Sequence, residues 1–296
     1  MKRITQALTF WLLLPWLCIV AILPFSILYK MSDVCYYLIY YLLRYRKKIV
    51  WNNLSNAFSE KEAIERKKLQ KDFYRHLCDL LLEHIKGLTI TCAQVLHRCT
   101  LQNPEVLESL YKKGKHVLLL TGHQGNWEWA GSAVALQTNY KLYVIYKTLS
   151  NPYFDGLVGR IRKRFGRDII QQNQVLRKML SYDSIPKATA ILADQAPDPQ
   201  QASIMNFLNQ PTYVTQGLEK LAKKLNHAIV YMHIKKIKRG YYTVIAELLF
   251  EHPIDTPDLL ITQTYMQRLE ADIYQEPATW LWSHNRWKNK VNLEIN

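Results

Sequence analysis

Hydrophobic and polar positions change their spacing in stages along this chain. No charged residue lies between Arg3 and Lys30, and residues 7–28 read ALTFWLLLPWLCIVAILPFSIL. Such a run matches the ~20 mainly apolar residues that a bilayer-crossing helix needs. It is longer than the apolar part of a signal peptide (about 7–15 residues), and no small-residue cleavage site follows. Residues 1–30 are therefore expected to form an uncleaved membrane anchor. Pro15 and Pro24 would kink it, which leaves a shallow or re-entrant insertion open beside a full span. Tyr36, Tyr37, Tyr40, Tyr41 and Tyr45 then lead into Arg44, Arg46, Lys47 and Lys48. Aromatic rings beside a basic cluster suit the interface of an anionic leaflet. The same tyrosines could instead pack in a buried helix.

Residues 60–88 carry a helical period, with Phe73, Leu77, Leu80, Leu81 and Ile85 on one stripe. Beyond it, short apolar runs at 116–120, 142–146, 188–192 and 229–234 read as buried strands. Amphipathic stretches at 127–137, 152–165, 175–182 and 214–225 read as helices between them. This alternation predicts an α/β fold, a mainly parallel central sheet flanked by helices. Residues 241–248 follow an Arg239-Gly240 turn and would pair antiparallel with the strand before it. Residues 258–274 form a closing helix, and the tail PATWLWSHNRWKNK is aromatic and basic. With no repeat and no Ser/Gly linker, the expected layout is the anchor (1–30) and one catalytic domain (31–296). Within that domain, a helical interfacial lead-in (31–100) precedes an α/β core (110–296).

Composition narrows the options. Hydrophobic residues make up 49% and charged residues 21%, which excludes a disordered chain. The five cysteines are an odd number without CxxC spacing, so neither a disulfide framework nor a zinc module is expected. A reducing compartment is the simpler reading. Lys and Arg number 39 against 24 Asp and Glu, a net charge of +15. That charge suits nucleic acid, anionic lipid or an acidic protein. The basic residues sit mainly in helices and near the anchor, not interleaved with aromatics on a sheet face, so no nucleic acid is expected. A non-catalytic basic protein binding lipid or nucleic acid is the remote alternative.

Candidate chemistry concentrates in HVLLLTGHQGNWEW, residues 116–129. His123 falls on the turn after a strand, at the carboxyl edge of the sheet where open α/β folds place ligands. Glu128 follows in the first turn of a helix. Residues five apart do not share a helical face, so the two meet only if His123 lies on the turn. The carboxylate would then accept from one imidazole nitrogen and leave the other as a general base. A helix-capping His with a solvated Glu is the plainer alternative. Gly122 and Gly125 allow close backbone approach, and amides near Gly125 and Asn126 could hold an oxyanion. No Gly-x-Ser-x-Gly elbow is present, against a serine hydrolase. His76, His84 and His97 read as surface or packing residues.

GHQGNWEW after an apolar strand resembles the His-x4-Asp/Glu motif of the glycerolipid and lysophospholipid acyltransferases, in the version of the lipid A late acyltransferases. NPYFDGLVGRIRKRFG (151–166), ILADQ (191–195) and WLWSHNRWK (280–288) resemble that family's later blocks, in its order. Arg44, Tyr45, Asn53-Leu54 and Ala57-Phe58 resemble its segment after the anchor. The resemblance implies transfer of a fatty acyl chain from a thioester to a hydroxyl of a lipid A precursor. The acidic acyl carrier protein would be the donor's carrier, with acyl-CoA the alternative, and no metal or redox cofactor. It further implies His123 as base with Glu128, and Arg160 and Asp194 at the acidic headgroup. Arg164 and Gln195 are weaker substrate-binding candidates, while Arg162, Lys163 and Arg167 are assigned to a solvated basic face. The implied location is a bacterial inner membrane with the catalytic domain in the cytoplasm, against anionic lipid and glycolipid. Phe207-Leu208-Asn209-Gln210-Pro211-Thr212 lacks the glycine of the family's Phe-x-Gly, which leaves chain length and acceptor open. A lysophospholipid, mannosylated lipid or aminolipid is the alternative acceptor.

Overall fold

A computed structural model describes residues 2–182, 184–289 and 291, so Lys290 and the last residues of the predicted 110–296 core lie outside the described residues. The helices are α1 (Lys2–Ile22), α2 (Phe25–Tyr37), α3 (Lys47–Ala57), α4 (Ala63–Lys86), α5 (Cys92–Arg98), α6 (Glu105–Lys112), α7 (Trp127–Gln137), α8 (Pro152–Lys163), α9 (Val175–Leu180), α10 (Gly217–Leu225) and α11 (Leu260–Gln275). A π-helical turn, Leu38–Leu42, continues α2. The strands are β1 (Cys99–Leu101), β2 (Val117–Thr121), β3 (Lys141–Tyr146), β4 (Asp168–Gln171), β5 (Lys187–Leu192), β6 (Ala202–Phe207), β7 (Gln210–Thr215), β8 (Ala228–Lys238) and β9 (Tyr241–Phe250).

Seven strands form one sheet in the order β1-β9-β8-β2-β5-β3-β4, and β6 pairs with β7 as a separate antiparallel hairpin. Within the sheet β8, β2, β5, β3 and β4 are parallel, and β9 turns back antiparallel on β8. The predicted α/β class is therefore observed. β2 lies at the centre because all five of its residues are buried; its run VLLLT faces helices on both sides, as a strand inside a parallel sheet must. Leu118 and Leu120 enter one core with α3, α4 and α11, and Val117 and Leu119 enter a second core with α5, α6 and α7. From β2 the chain passes through α7 to β3 on one side, and later through α10 to β8 on the other. The carboxyl end of β2 lies at this reversal, the usual ligand crevice of open α/β sheets.

Four predicted features differ. Residues 214–216 of the predicted 214–225 helix are not helical: β7 covers 210–215, and α10 begins only at Gly217. The predicted 152–165 helix stops at Lys163, because Phe165 (φ 60°) and Gly166 (φ 78°) take left-handed conformations and turn the chain out of α8. Leu81 is exposed instead of joining the stripe of α4. The lead-in tyrosines divide: Tyr36 and Tyr40 are in the core, whereas Tyr37, Tyr41 and Tyr45 are exposed.

Candidate active site

The turn after β2 is built from residues that tolerate crowding. A β-carbon on Gly122 would run into Leu269 of α11. Gly125 has φ +57°, and a β-carbon there would lie 2.8 Å from Ile234 Cγ2, so both geometry and space require glycine. The chain's carboxyl-terminal segment straps this turn from outside. The Leu281 amide donates to the His123 carbonyl (3.0 Å), and the Gly125 amide donates to the Thr279 carbonyl (3.1 Å). Asn126 then caps α7, its Oδ1 accepting from the Trp129 amide at 2.9 Å.

His123 finds its carboxylate on another strand. Its Nδ1 lies 2.6 Å from Asp194 Oδ1, just beyond β5, while Asp194 Oδ2 accepts from the His123 amide (2.8 Å) and from Trp280 Nε1 (2.9 Å). Burial alone would raise the Asp194 pKa, but the charge and hydrogen bonds of His123 and the Trp280 N–H outweigh it and hold the group at about 2. Asp194 is therefore a carboxylate at neutral pH, and the imidazole proton belongs on Nδ1. His123 Nε2 points the other way, toward the cavity, with Gln195 Nε2 3.3 Å from it. The Trp127 ring stands edge-on to the imidazole, with centroids 5.0 Å apart.

Glu128 is not the imidazole's partner. It accepts from Arg162 Nε at 2.8 Å and from Arg167 Nη1 at 3.3 Å, and Arg167 Nη1 also reaches its backbone carbonyl at 3.1 Å. Burial opposes ionisation of Glu128, yet the two guanidiniums prevail and keep its pKa at about 2. The left-handed turn at Phe165 and Gly166 is the reason: it folds Arg167 back beneath α7, where its side chain is 2% exposed. Arg162 and Arg167 are thus part of the site and not a solvated face.

The remaining candidates are placed differently from expectation. Arg160 is exposed on α8 and does not line the cavity. Arg164 is spent on the carbonyls of Gly87 (2.5 Å) and Ile90 (2.7 Å), closing the end of α4. The Gly125 amide is occupied by the Thr279 carbonyl, and the Asn126 side-chain amide donates to buried Glu83 at 2.7 Å, so those two groups are already engaged. His123, Glu128, Arg162, Gln195 and His84 all line one cavity of about 1320 Å³. It runs from a polar rim at Lys147, Gln172 and Lys220 into the second core, among Leu119, Val134, Leu142 and Met232. His84, whose pKa burial lowers, was read as a surface or packing residue; nothing in its local spacing marks it.

A polar rim with an apolar interior, and a carboxylate-fixed imidazole between them, suits an amphiphile with a reactive polar end. Among the described residues no cluster of His, Cys, Asp and Glu is arranged to hold a metal ion. No curated protein matches the chain. The family model described as bacterial lipid A biosynthesis acyltransferase matches residues 2–289, from α1 through the strap that holds the His123 turn. The chain belongs to the bacterial lipid A biosynthesis acyltransferase family.

Proposed function

We propose that this protein transfers a fatty acyl chain from an acyl-carrier-protein thioester to a hydroxyl of a lipid A precursor, at the cytoplasmic face of a bacterial inner membrane. The observation that carries the mechanism is the His123 imidazole, fixed through Nδ1 on ionised Asp194 and presenting Nε2 to the cavity. His123 Nε2 takes the proton of the acceptor hydroxyl as its oxygen attacks the thioester carbonyl carbon. The new C–O bond gives a tetrahedral oxyanion; its collapse breaks the C–S bond, and the departing thiolate takes the proton back from Nε2. Asp194 stabilises the imidazolium between these steps. No covalent enzyme intermediate is needed, because acceptor and donor meet in one ternary complex.

Arg162 takes the role expected of Arg160. Its Nε is committed to Glu128, and among the described residues Nη1 and Nη2 have no hydrogen-bond acceptor at the cavity wall. A guanidinium held at one edge by a carboxylate presents its other edge to a phosphate or acidic sugar. Glu128 is then a positioning residue, neutralising buried Arg167 and aiming Arg162. The apolar interior of the cavity suits the acyl chain.

The acceptor is tested by comparing lipid A masses from cells with the gene, without it, and with it restored. Loss of one acyl chain, restored with the gene, is expected. An unchanged acyl count refutes lipid A as the acceptor.

A further inference from the structure

α1 is long enough to cross a bilayer, and its composition allows it: Arg3–Ile22 has a mean hydropathy of 1.8. How α1 is attached argues otherwise. Phe10, Val20 and Ala21 are buried, and with Gln6, Leu14 and Leu17 they form a stripe at three- and four-residue spacing against the domain. Near one end, Gln6 Nε2 donates to the Ser150 carbonyl (2.9 Å), Asn151 Nδ2 donates to the Gln6 carbonyl (3.1 Å), and Phe10 stacks on Tyr153. At the other end Lys86 Nζ donates to the carbonyls of Ala21 and Leu23, both at 2.8 Å. Gln6 and Ala21 are roughly 22 Å apart along a helix. A helix clamped to the domain over that distance cannot cross hydrocarbon alone. It would carry the Ser150-Asn151 turn and the charged α8 residues Asp155, Arg160 and Lys163 with it, at prohibitive desolvation cost.

We propose that α1 lies in the plane of an anionic leaflet and does not cross the bilayer, with Ile4, Leu8, Trp11, Leu12, Trp16 and Ile19 buried at the headgroup–acyl boundary. All six are exposed, between 47% and 80%. In an ordinary interfacial helix a polar face looks to water; here the docked catalytic domain covers that side. Arg3, Arg44 and Lys48 are exposed, and with the net charge of +15 they complement anionic headgroups. The seating also explains the route into the cavity. Leu149, at the cavity rim, is 45% exposed and adjoins the Ser150 carbonyl that Gln6 holds, so the mouth is tied to the membrane-lying helix. An acceptor lipid would enter from the leaflet without leaving it. This deepens the lipid-acceptor reading but is tested separately from catalysis.

The experiment uses the full chain with exposed Cys18 and Cys92 changed to serine and one label site added: Leu8→Cys, Leu12→Cys or Ile19→Cys. Each is labelled with an environment-sensitive fluorophore and bound to vesicles of phosphatidylglycerol and phosphatidylethanolamine. Quenching by lipids carrying nitroxide at the headgroup or mid-chain then reads depth. The expected result is one shallow depth at all three sites. A profile with Leu12→Cys at the bilayer centre and the flanking sites shallower overturns the proposal in favour of a span. Failure to bind the vesicles, or water-like emission at all three sites, overturns it too, while acyl transfer assayed in detergent would still stand.

Discussion

At the residue scale, the site contains two carboxylates with different tasks. Asp194 belongs to the imidazole and Glu128 to the arginines, an assignment that follows from which charges reach each buried acid. The spacing of His123 and Glu128 correctly brought both to one cavity but could not show which acid the imidazole chooses. That choice depends on β5 lying beside β2, a tertiary fact. Asp194→Asn should cut turnover by about 10²–10⁴-fold, because an amide cannot stabilise the imidazolium. Steady-state rates of the purified, folded variant test this, and turnover near wild type would assign Asp194 to structure alone. Glu128→Ala strands the buried Arg167 charge and should cost about 3–5 kcal/mol in stability, read from denaturant titration. Arg162→Ala should raise KM for the acidic acceptor more than it lowers kcat; a pure kcat effect would place Arg162 at the reacting atoms.

At the element scale, strands and long helices were legible because their periodicities are strong. The predicted strands at 116–120, 142–146, 188–192 and 229–234 each coincide with an observed one to within a few residues, and 127–137 matches α7 at both ends. The short edge strands β1 and β4 and the β6–β7 hairpin were not seen, since three to six half-exposed residues carry little pattern. The left-handed turn at Phe165 and Gly166 was not used in the sequence reading, and it redirects Arg167, which follows it, beneath α7. Residues 280–288 were recognised as a signature block, though the part that their first two residues play in the strap emerges only in the fold. Trp280→Phe keeps an aromatic ring but removes the N–H donor to Asp194 and leaves a small cavity at a buried position, so it should cost at least about 1.5–3 kcal/mol, the worth of a hydrogen bond to a charged group alone. Thermal or denaturant unfolding measures this, and an unchanged midpoint would mean the strap does not hold the site.

At the scale of the whole molecule, buried titratable groups set the pH dependence of stability. Burial depresses His76 to about 3, and His227 and His284 to about 4, so folding keeps these rings neutral. Each contributes stability that is present above about 6.5 and lost as pH falls toward its folded value. Glu83, raised by burial to about 7 despite hydrogen bonds from Tyr242, Tyr29 and Asn126, works in the opposite sense: its contribution shrinks as pH rises from about 4.5 to 7. Four imidazoles held neutral by burial, His84 among them, against the raised carboxyls of Glu83 and Glu276 and the raised imidazole of His233, predict a lower melting temperature at pH 5 than at pH 7.5; the reverse order in a thermal scan would contradict that balance. The charge of +15 is carried by a molecule with an apolar helix on its flank and an amphiphile-shaped cavity beside it. In the proposed mechanism His123 drives acyl transfer within that cavity. That role is tested by incubating purified wild-type and His123→Ala protein with acyl-carrier-protein thioester and lipid A precursor, and following acceptor mass. Wild type should add one acyl chain while His123→Ala, equally folded, adds it at least ~10²-fold more slowly. Transfer by His123→Ala at the wild-type rate would exclude His123 as the base.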